Sequence, residues 1–519
     1  MNGLKSRTGN SIRNVSVSFG AQLLITALQF ITRTFFIKYL GTSYLGISGL
    51  YTNILTMLSL TELGLDTAIN FKLYKPLAEH DTKRLQVLMK FYRQAYVIVG
   101  LGIFVLGLVF IPLLPVLIKD YSSLELLNIN PEFLFVLYLL QSSLSYLFFA
   151  SKSAIIKADQ KIYITTLISF FVNVVTAVIQ IISLIFFKNF IIYISLGLIS
   201  TLLSNYFSAK VAERTYPEVF EKTDEHLDFS EIKDIFKDLG ALFLYRVNNV
   251  VIKATDNIVL SAFIGIKTVG IYSNYLLFYS TINSILDRLY SSIKASMGNL
   301  FAVESIERRY GFFLIMNYLS IILYGTAGVG IAVCANELIT VWVGSKYVIA
   351  APFPLLIGIE IIFHGLKSNL GQIRNVSGVF RQMWFRPLMG MIINIGVSIW
   401  LVNIYGIYGV IIGTITADLL ANFMVDPHVI HKFSFNNYKP VSEYYLKNGI
   451  YIIILMIIFA IDVYICRFIM FQSHWLSVIV HICICGFSVP GVFTILFWNS
   501  EENRYLVQVG KNIYNHIIQ

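Results

Sequence analysis

Charge is scarce in this chain. Only 13% of its 519 residues are Asp, Glu, Lys or Arg, while 56% are hydrophobic. An ordinary soluble protein carries about a quarter charged residues, and a water-soluble core of this size cannot hide so much apolar surface. The composition predicts a polytopic membrane protein whose outer surface is solvated by lipid. Cysteine is nearly absent too. The four (Cys334, Cys466, Cys483 and Cys485) lie in or at the ends of apolar runs, with neither a disulfide framework nor CxxC metal spacing. They read as small packing residues. No Walker loop, dinucleotide fingerprint or HExxH motif occurs, and the eight histidines do not cluster at metal-ligand spacing. No nucleotide or metal cofactor is expected; coupling to H+ or Na+ is the remaining expectation. The weak ten-residue alternation of a membrane β-barrel is missing as well.

What the chain has instead is a series of apolar stretches of about twenty residues or more, enough to cross a bilayer as helices. Fourteen spans are predicted, at 14–39, 45–72, 94–118, 132–151, 162–187, 190–210, 239–263, 270–294, 311–335, 349–367, 386–404, 407–427, 449–471 and 475–498. The basic residues vote on orientation. Lys72, Lys83, Arg84, Lys90, Lys157, Lys210, Lys233, Arg308, Arg309, Arg374, Arg381, Lys432 and Lys439 fall on one side, with Lys5, Arg7, Arg13, Arg504 and Lys511. The opposite loops are short and carry isolated lysines such as Lys119, Lys188 and Lys267. By the positive-inside rule both termini are cytoplasmic. The net charge of +10 therefore belongs to orientation and anionic head groups, not to nucleic acid. The N-terminal apolar run continues to about Tyr39 through Arg33 and offers no convincing cleavage site, so it reads as a retained span.

An internal repeat is also visible. Leu40-Gly41-Thr42-Ser43-Tyr44-Leu45-Gly46-Ile47 echoes Ile264-Gly265-Ile266-Lys267-Thr268-Val269-Gly270-Ile271 at matching glycines. Asn173 and Asn394, with Gly197 and Gly413 in the spans that follow, form a weaker echo. An even number of spans per repeat gives parallel halves. The expected organisation is an N-lobe at 1–212, a mixed-charge cytoplasmic linker at 213–238, a C-lobe at 239–432, and spans 13 and 14 with a tail at 433–519. No loop is long enough for an independent catalytic domain.

The chemistry lies in the few charges inside the spans. A cation at the bilayer centre costs about 2.5–3.5 kcal/mol even on the lenient insertion scale, so it usually faces a watery cavity or an anionic partner. In span 1, Gln22, Thr26, Gln29 and Arg33 form a polar stripe on one helix face. Such a stripe suits a cavity lining or hydrogen bonding in a packed bundle; the arginine favours the cavity. Span 7 carries Arg246, Asn249, Lys253 and Asp256 at similar steps. Lys253 can pair with Asp256 one turn away, whereas Arg246 has no carboxylate one turn away on its own helix. Arginine suits phosphate because its planar fork donates two parallel hydrogen bonds. Glu62 and Asp66 in span 2 and Asp287-Arg288 in span 8 lie at comparable depth. They can form an inner gate, a coupling-ion site, or a fixed salt bridge. Glu360, His364 and Lys367 share a face of span 10, with Glu360–His364 a candidate proton site. Arg374 and Arg381 read as loop anchors. Asp462, Arg467, Trp475 and His481 in spans 13 and 14 have no role legible from the sequence.

The stretches Arg33-Thr34-Phe35-Phe36-Ile37-Lys38-Tyr39-Leu40-Gly41, Tyr44-Leu45-Gly46, Glu62-Leu63-Gly64-Leu65 and Leu73-Tyr74-Lys75-Pro76-Leu77-Ala78 resemble the start of Wzx-type polysaccharide flippases. Asp256-Asn257-Ile258-Val259-Leu260, with Gly265 and Gly270-Ile271-Tyr272, is similar to that family's seventh-to-eighth span signature. The family belongs to the superfamily of multidrug (MATE) exporters and lipid II flippases. The resemblance implies an all-α membrane fold, MATE-like, with two six-helix lobes around a cavity and two extra C-terminal helices. It implies a transporter rather than an enzyme, in the bacterial plasma membrane. The implied substrate is an oligosaccharide on undecaprenyl pyrophosphate, moved between leaflets by alternating access, with membrane lipid, a polysaccharide polymerase and export machinery as partners. Arg33, Arg246, Lys253, Gln29 and Asn249 are then the candidate pyrophosphate contacts. Glu62, Asp66, Asp256, Asp287, Arg288 and Glu360 are the candidate gate or coupling residues. A multidrug cation antiporter would favour carboxylates and aromatics in its cavity. A membrane polymerase would need a large outer loop. A lipid II flippase presents the same pyrophosphate problem and stays open.

Overall fold

A computed structural model describes residues 2–59, 65–126, 130–237, 240–379 and 381–518. Within the predicted spans the described residues are mostly helical, span 2 being divided between Thr42–Leu58 and Leu65–Glu79, and no strand occurs among the described residues. The helices are α1 (Asn2–Tyr39), α2 (Thr42–Leu58), α3 (Leu65–Glu79), α4 (Thr82–Phe110), α5 (Pro131–Leu147), α6 (Ile162–Phe186), α7 (Phe190–Thr215), α8 (Phe229–Lys237) and α9 (Gly240–Phe263). They continue with α10 (Ile266–Val303), α11 (Ile306–Trp342), α12 (Phe353–Ser377), α13 (Arg386–Tyr405), α14 (Ile407–Ala417), α15 (Val425–Ser434), α16 (Val441–Phe468), α17 (His474–Leu496) and α18 (Glu501–Ile518).

Helices are the expected answer in lipid, where each backbone N–H and C=O must find its partner within the segment. Among the described residues, nine helices are long and apolar enough to cross alone. The pair Pro131–Leu147 and Ala150–Ala158, bent by 51°, is long and apolar enough only when taken together. Phe149, at φ 68°, sits at that break. The predicted spans outside this set fall on α2, α9, α10 and α12. The last three carry most of the intramembrane charges. Span 12 is not one regular helix: a π turn at Asp418–Phe423 joins α14 to α15.

The chain forms two compact units, residues 1–270 and 271–519. In the first, an apolar cluster of Ile69, Leu73, Leu85, Leu88, Tyr92, Tyr96 and Ile155 joins α3, α4 and the Ala154–Ala158 turn. The 213–238 connection, which reads from sequence as a solvated linker, is fastened over this cluster. Lys90 Nζ donates to the Thr223 carbonyl at 2.8 Å, and Gln86 donates to the Glu218 carbonyl at 2.7 Å. Arg84 donates to both carboxylate oxygens of Glu231 and holds that carboxyl below its ordinary range. In the second unit, α16 and α17 pack on α11 through Tyr318, Ile321, Val329, Leu455, Ile458, Val489 and Phe493.

The repeated glycines meet each other within the first unit. Gly41 and Gly265 take φ 87° and 129°, values open chiefly to glycine, and each ends the turn before a helix. Five residues on, Gly46 and Gly270 face one another's repeat. A Cβ on Gly46 would lie 1.9 Å from the Ile266 carbonyl oxygen, and one on Gly270 would lie 2.1 Å from that of Thr42. Thr42 and Ile266 are themselves equivalent positions in the two repeats. The contact is therefore reciprocal, two backbones touching through matched glycines with a local two-fold relation.

Replacing Gly46 by valine forces these backbones apart. Overpacking of this kind typically costs about 1–3 kcal/mol or more. Thermal unfolding of the purified protein is expected to show a clear loss for Gly46→Val. Gly20→Ala, at a site with nothing within 4 Å of the new Cβ, should leave stability unchanged. Equal melting of both variants would contradict the assignment.

Candidate functional site

In the first unit, the α1 stripe is continuous. Gln22 Nε2 donates to Thr26 Oγ1 at 3.3 Å, Gln29 is exposed, and Arg33 is partly buried within electrostatic reach of Tyr193 on α7. The aromatic packing of Phe36 against Phe190 and Tyr193, at 5.7 and 5.0 Å between centroids, fixes α1 against α7 at this level. On α9, Thr255, Asp256, Asn257 and Ser261 are buried, on a helix that packs against α2. Glu62 lies outside the described residues. Of Asp66, Arg246, Asn249 and Lys253 only the helical backbone is described, so the suggested Lys253–Asp256 pair and the setting of Arg246 rest on spacing alone.

The second unit holds a graded row of charges along α12. Glu360, His364, Lys367 and Arg374 recur at helical steps on one face. The Tyr279 hydroxyl on α10 hydrogen-bonds Glu360, which is buried. One turn further on, His364 Nε2 lies 3.2 Å from both carboxylate oxygens of Asp287, and the Tyr324 hydroxyl donates to Asp287 Oδ1 at 2.7 Å. Lys367 Nζ donates to Asp418 at 3.0 and 3.3 Å, and Asn422 Nδ2 donates to the same carboxylate. Last, Arg374 Nη1 and the Arg386 guanidinium converge on Asp426 at 3.0, 3.1 and 3.3 Å. Asp426 is fully buried and Arg386 nearly so.

These placements refine the sequence reading. Asp287 is engaged by Tyr324 and His364 inside its own unit, and Arg288 beside it is partly buried. The carboxylate against His364 is Asp287 from α10, while Glu360 on the same helix face goes to Tyr279. Sequence reasoning missed Asp418, Asp426 and Arg386 as partners. A signal was present. Lys367 and Arg374 are seven residues apart, and Asp418 and Asp426 are eight apart. Two turns of a neighbouring span thus match two turns of α12, and the π turn at 418–423 takes up the additional residue.

Chemically, the row is almost self-neutralising. Lys367 and Arg374 each meet a carboxylate, so neither is held ready for a substrate anion. Among the described residues, no group of three or more His, Cys, Asp and Glu side chains is placed to hold a metal ion.

The sequence profile of a family described as polysaccharide biosynthesis protein matches residues 11–292, more than half the chain. This chain belongs to that family. Nothing among curated proteins matches it in sequence. Its fold is similar to that of the lipid II flippase MurJ in an inward closed conformation, with 16% identity, 93% of this chain and 99% of that chain covered, and a TM-score of 0.60. It is similar also to an inward-facing multidrug resistance MATE family transporter of the MOP superfamily, at 13% identity, 82% and 99% coverage and TM-score 0.56. The MATE multidrug transporter DinF-BH aligns at 16% identity, 83% and 96% coverage and TM-score 0.55. At such identities the likeness is one of fold. Family and fold together make this polysaccharide biosynthesis protein a multi-pass, all-α membrane protein of MATE-like architecture, with about fourteen spans.

Removing Asp426 would leave two buried guanidinium groups facing each other. Breaking a buried pair this way costs about 3–5 kcal/mol. Asp426→Asn is expected to lower the folded, monodisperse yield and the melting temperature far more than Glu443→Gln at an exposed i,i+4 pair. Size-exclusion profiles and thermal melts of the two variants check this, and an unchanged Asp426→Asn melt would contradict the triad's structural role.

Proposed function

We propose that the chain is a flippase that carries an oligosaccharide linked to undecaprenyl pyrophosphate from the cytoplasmic to the outer leaflet of a bacterial plasma membrane. The product would serve capsule, exopolysaccharide or a related surface polymer. The observation that carries this reading is the family match over residues 11–292 on a fold similar to that of flippases and exporters. The charge inventory supports it. A pyrophosphate crossing a low-dielectric region needs cations on its route. In the second unit Lys367, Arg374 and Arg386 are committed to carboxylates. Arg33 at the end of the α1 stripe and Arg246 on α9 are the preferred pyrophosphate contacts. Lys253, Gln29 and Asn249 would line the same route. Glu62, Asp66, Asp256, Asp287, Arg288 and Glu360 are the groups that would gate it or bind a coupling H+ or Na+.

Alternating access would expose these groups to each leaflet in turn, with both termini cytoplasmic. A polysaccharide polymerase and export machinery would take the product. The second reading is a lipid II flippase, favoured by the 93% of this chain that aligns with MurJ. Both substrates present a polyprenyl pyrophosphate, so basic groups alone do not separate them.

Complementation separates them. The gene is expected to restore surface polysaccharide in a strain lacking its oligosaccharide flippase and to fail in one lacking the lipid II flippase. Rescue of the second strain alone would overturn the substrate assignment. At matched protein levels, Arg33→Ala and Arg246→Ala should each lose a charge-assisted contact of about 1.5–3 kcal/mol, or about tenfold or more in export. Unchanged export by both would remove them from the route.

A further inference from the structure

Glu337 on α11 is a carboxylate with one oxygen held and one open. His481 on α17, whose side chain is 1% exposed, places Nδ1 2.7 Å from Glu337 Oε2 and Nε2 2.8 Å from the Ile469 carbonyl oxygen. The imidazole is spent on these two oxygens, and the carboxylate is fixed in direction. Among the described residues, no hydrogen bond is made to Oε1. The Glu337 side chain is 37% exposed and lines a cavity of about 260 Å³ between the end of α11 and the start of α17. Pockets for drug-sized ligands run to about 300–1,000 Å³, so this one suits a smaller group.

The rest of the lining selects what can enter. Thr340 Oγ1 donates to the Asn336 carbonyl at 2.7 Å, which leaves its lone pairs as acceptors. The Asn336 side chain is engaged by the Tyr275 hydroxyl at 2.6 Å and the Ile349 carbonyl at 3.1 Å. Ser477 Oγ accepts from the Phe471 N–H at 2.9 Å and has the Ser473 and Phe471 carbonyls at 3.4 and 3.5 Å for its own proton. The exposed His474 imidazole also lines the cavity and donates or accepts according to its tautomer. The cavity thus offers a negative charge and spare acceptors, with most of its donors committed. A compact cation with several N–H donors fits this inventory, and an anion does not. Among the described residues, no three His, Cys, Asp or Glu side chains are placed to hold a metal ion. The walls at Val341, Phe471 and Val478 are apolar and suit methylene groups. A primary ammonium on a short alkyl stem meets both conditions.

The position narrows its source. Glu337 lies five residues from the end of α11, about 7–8 Å along the axis, and the facing wall is the start of α17 with the segment before it. In that segment and its flanks Phe468, Met470 and Trp475 are 72%, 73% and 53% exposed, as suits helix ends at the lipid boundary. Arg467, three residues before Met470, is exposed and supplies a cation for a phosphate. A carboxylate and a guanidinium at one lipid-facing helix end match the two charges of a zwitterionic aminophospholipid. We propose that Glu337, oriented by His481, binds the primary ammonium of a phosphatidylethanolamine head group in this cavity. Thr340 accepts a second N–H, and Arg467 meets the phosphate. The lipid then bridges α11 and α17. The site does not depend on which polyprenyl substrate the protein carries.

Photolabelling of the full-length protein in lipid nanodiscs tests it. The probe is a phosphatidylethanolamine with a photoreactive group on its acyl chain close to the glycerol. Label is expected on peptides covering 336–345 and 468–482. Unlabelled phosphatidylethanolamine should compete about tenfold or more better than phosphatidylcholine, whose quaternary ammonium has no N–H to donate. Glu337→Gln should reduce this labelling by a similar factor. Val341→Phe, which fills the cavity and leaves the Glu337–His481 contact in place, should abolish it. Glu443→Gln, near the opposite end of α16, should leave it unchanged. Label spread evenly over the lipid-facing helices, equal competition by phosphatidylcholine, or undiminished labelling in either cavity variant overturns the proposal. Equal competition by soluble glycerophosphoethanolamine overturns the assignment to a membrane lipid. The wild-type map and competition decide alone if the variants fail to fold.

Discussion

A charge in hydrocarbon is unstable on its own, and the second unit is organised around that constraint. Taking an ion out of water costs several kcal/mol even after relaxation, and a partner offsets this only with good geometry and further hydrogen bonds. Each ionisable residue named on α12 meets such a partner from another helix: Glu360 with Tyr279, His364 with Asp287, Lys367 with Asp418, Arg374 with Asp426. These pairs hold α10, α12 and the α14–α15 segment in one register. A one-turn slip would separate several of them together. The row is thus a device for register as well as a store of charge, in a setting where apolar side chains gain little by facing each other rather than lipid.

The first unit solves its packing by a different route. Here two backbones approach through glycines, Gly46 against Ile266 and Gly270 against Thr42, with no side chain between them. Small residues at helix contacts are the usual way to gain dispersion contacts in a membrane. The repeat motif seen in the sequence is therefore a contact motif. Its glycines recur because both halves of the repeat contribute the same surface to the same joint.

The spans were legible in the sequence because lipid imposes length and hydropathy together, and the repeat because its glycines are confined by φ and by contact. The broken elements were less so. The bend after α5 and the π turn at Asp418–Phe423 come from local backbone and packing, which hydropathy averages over. Of the site, residue spacing found the α1 stripe and most of the α12 row, since one helix face is a one-dimensional property. It missed Asp418, Asp426 and Arg386, whose roles come from other helices and depend on how those helices are aligned. For the same reason His481 and Glu337, 144 residues apart, could not be joined by reading along the chain. The sequence resemblance to polysaccharide flippases rests on short motifs near the chain's start and around spans 7 and 8. The family match spans both regions.

Translocation of a lipid-linked oligosaccharide is the central claim, and reconstitution measures it directly. Vesicles containing the purified protein would be loaded in both leaflets with an undecaprenyl-pyrophosphate oligosaccharide and exposed to a membrane-impermeant glycosidase. The expected result is that the enzyme digests the whole pool in protein-containing vesicles and only the outer-leaflet share in empty ones, while the inner-leaflet share of lipid II, tested with an enzyme that cleaves it, stays protected in both. Digestion limited to the outer share in both kinds of vesicle, or translocation of lipid II alone, would contradict it.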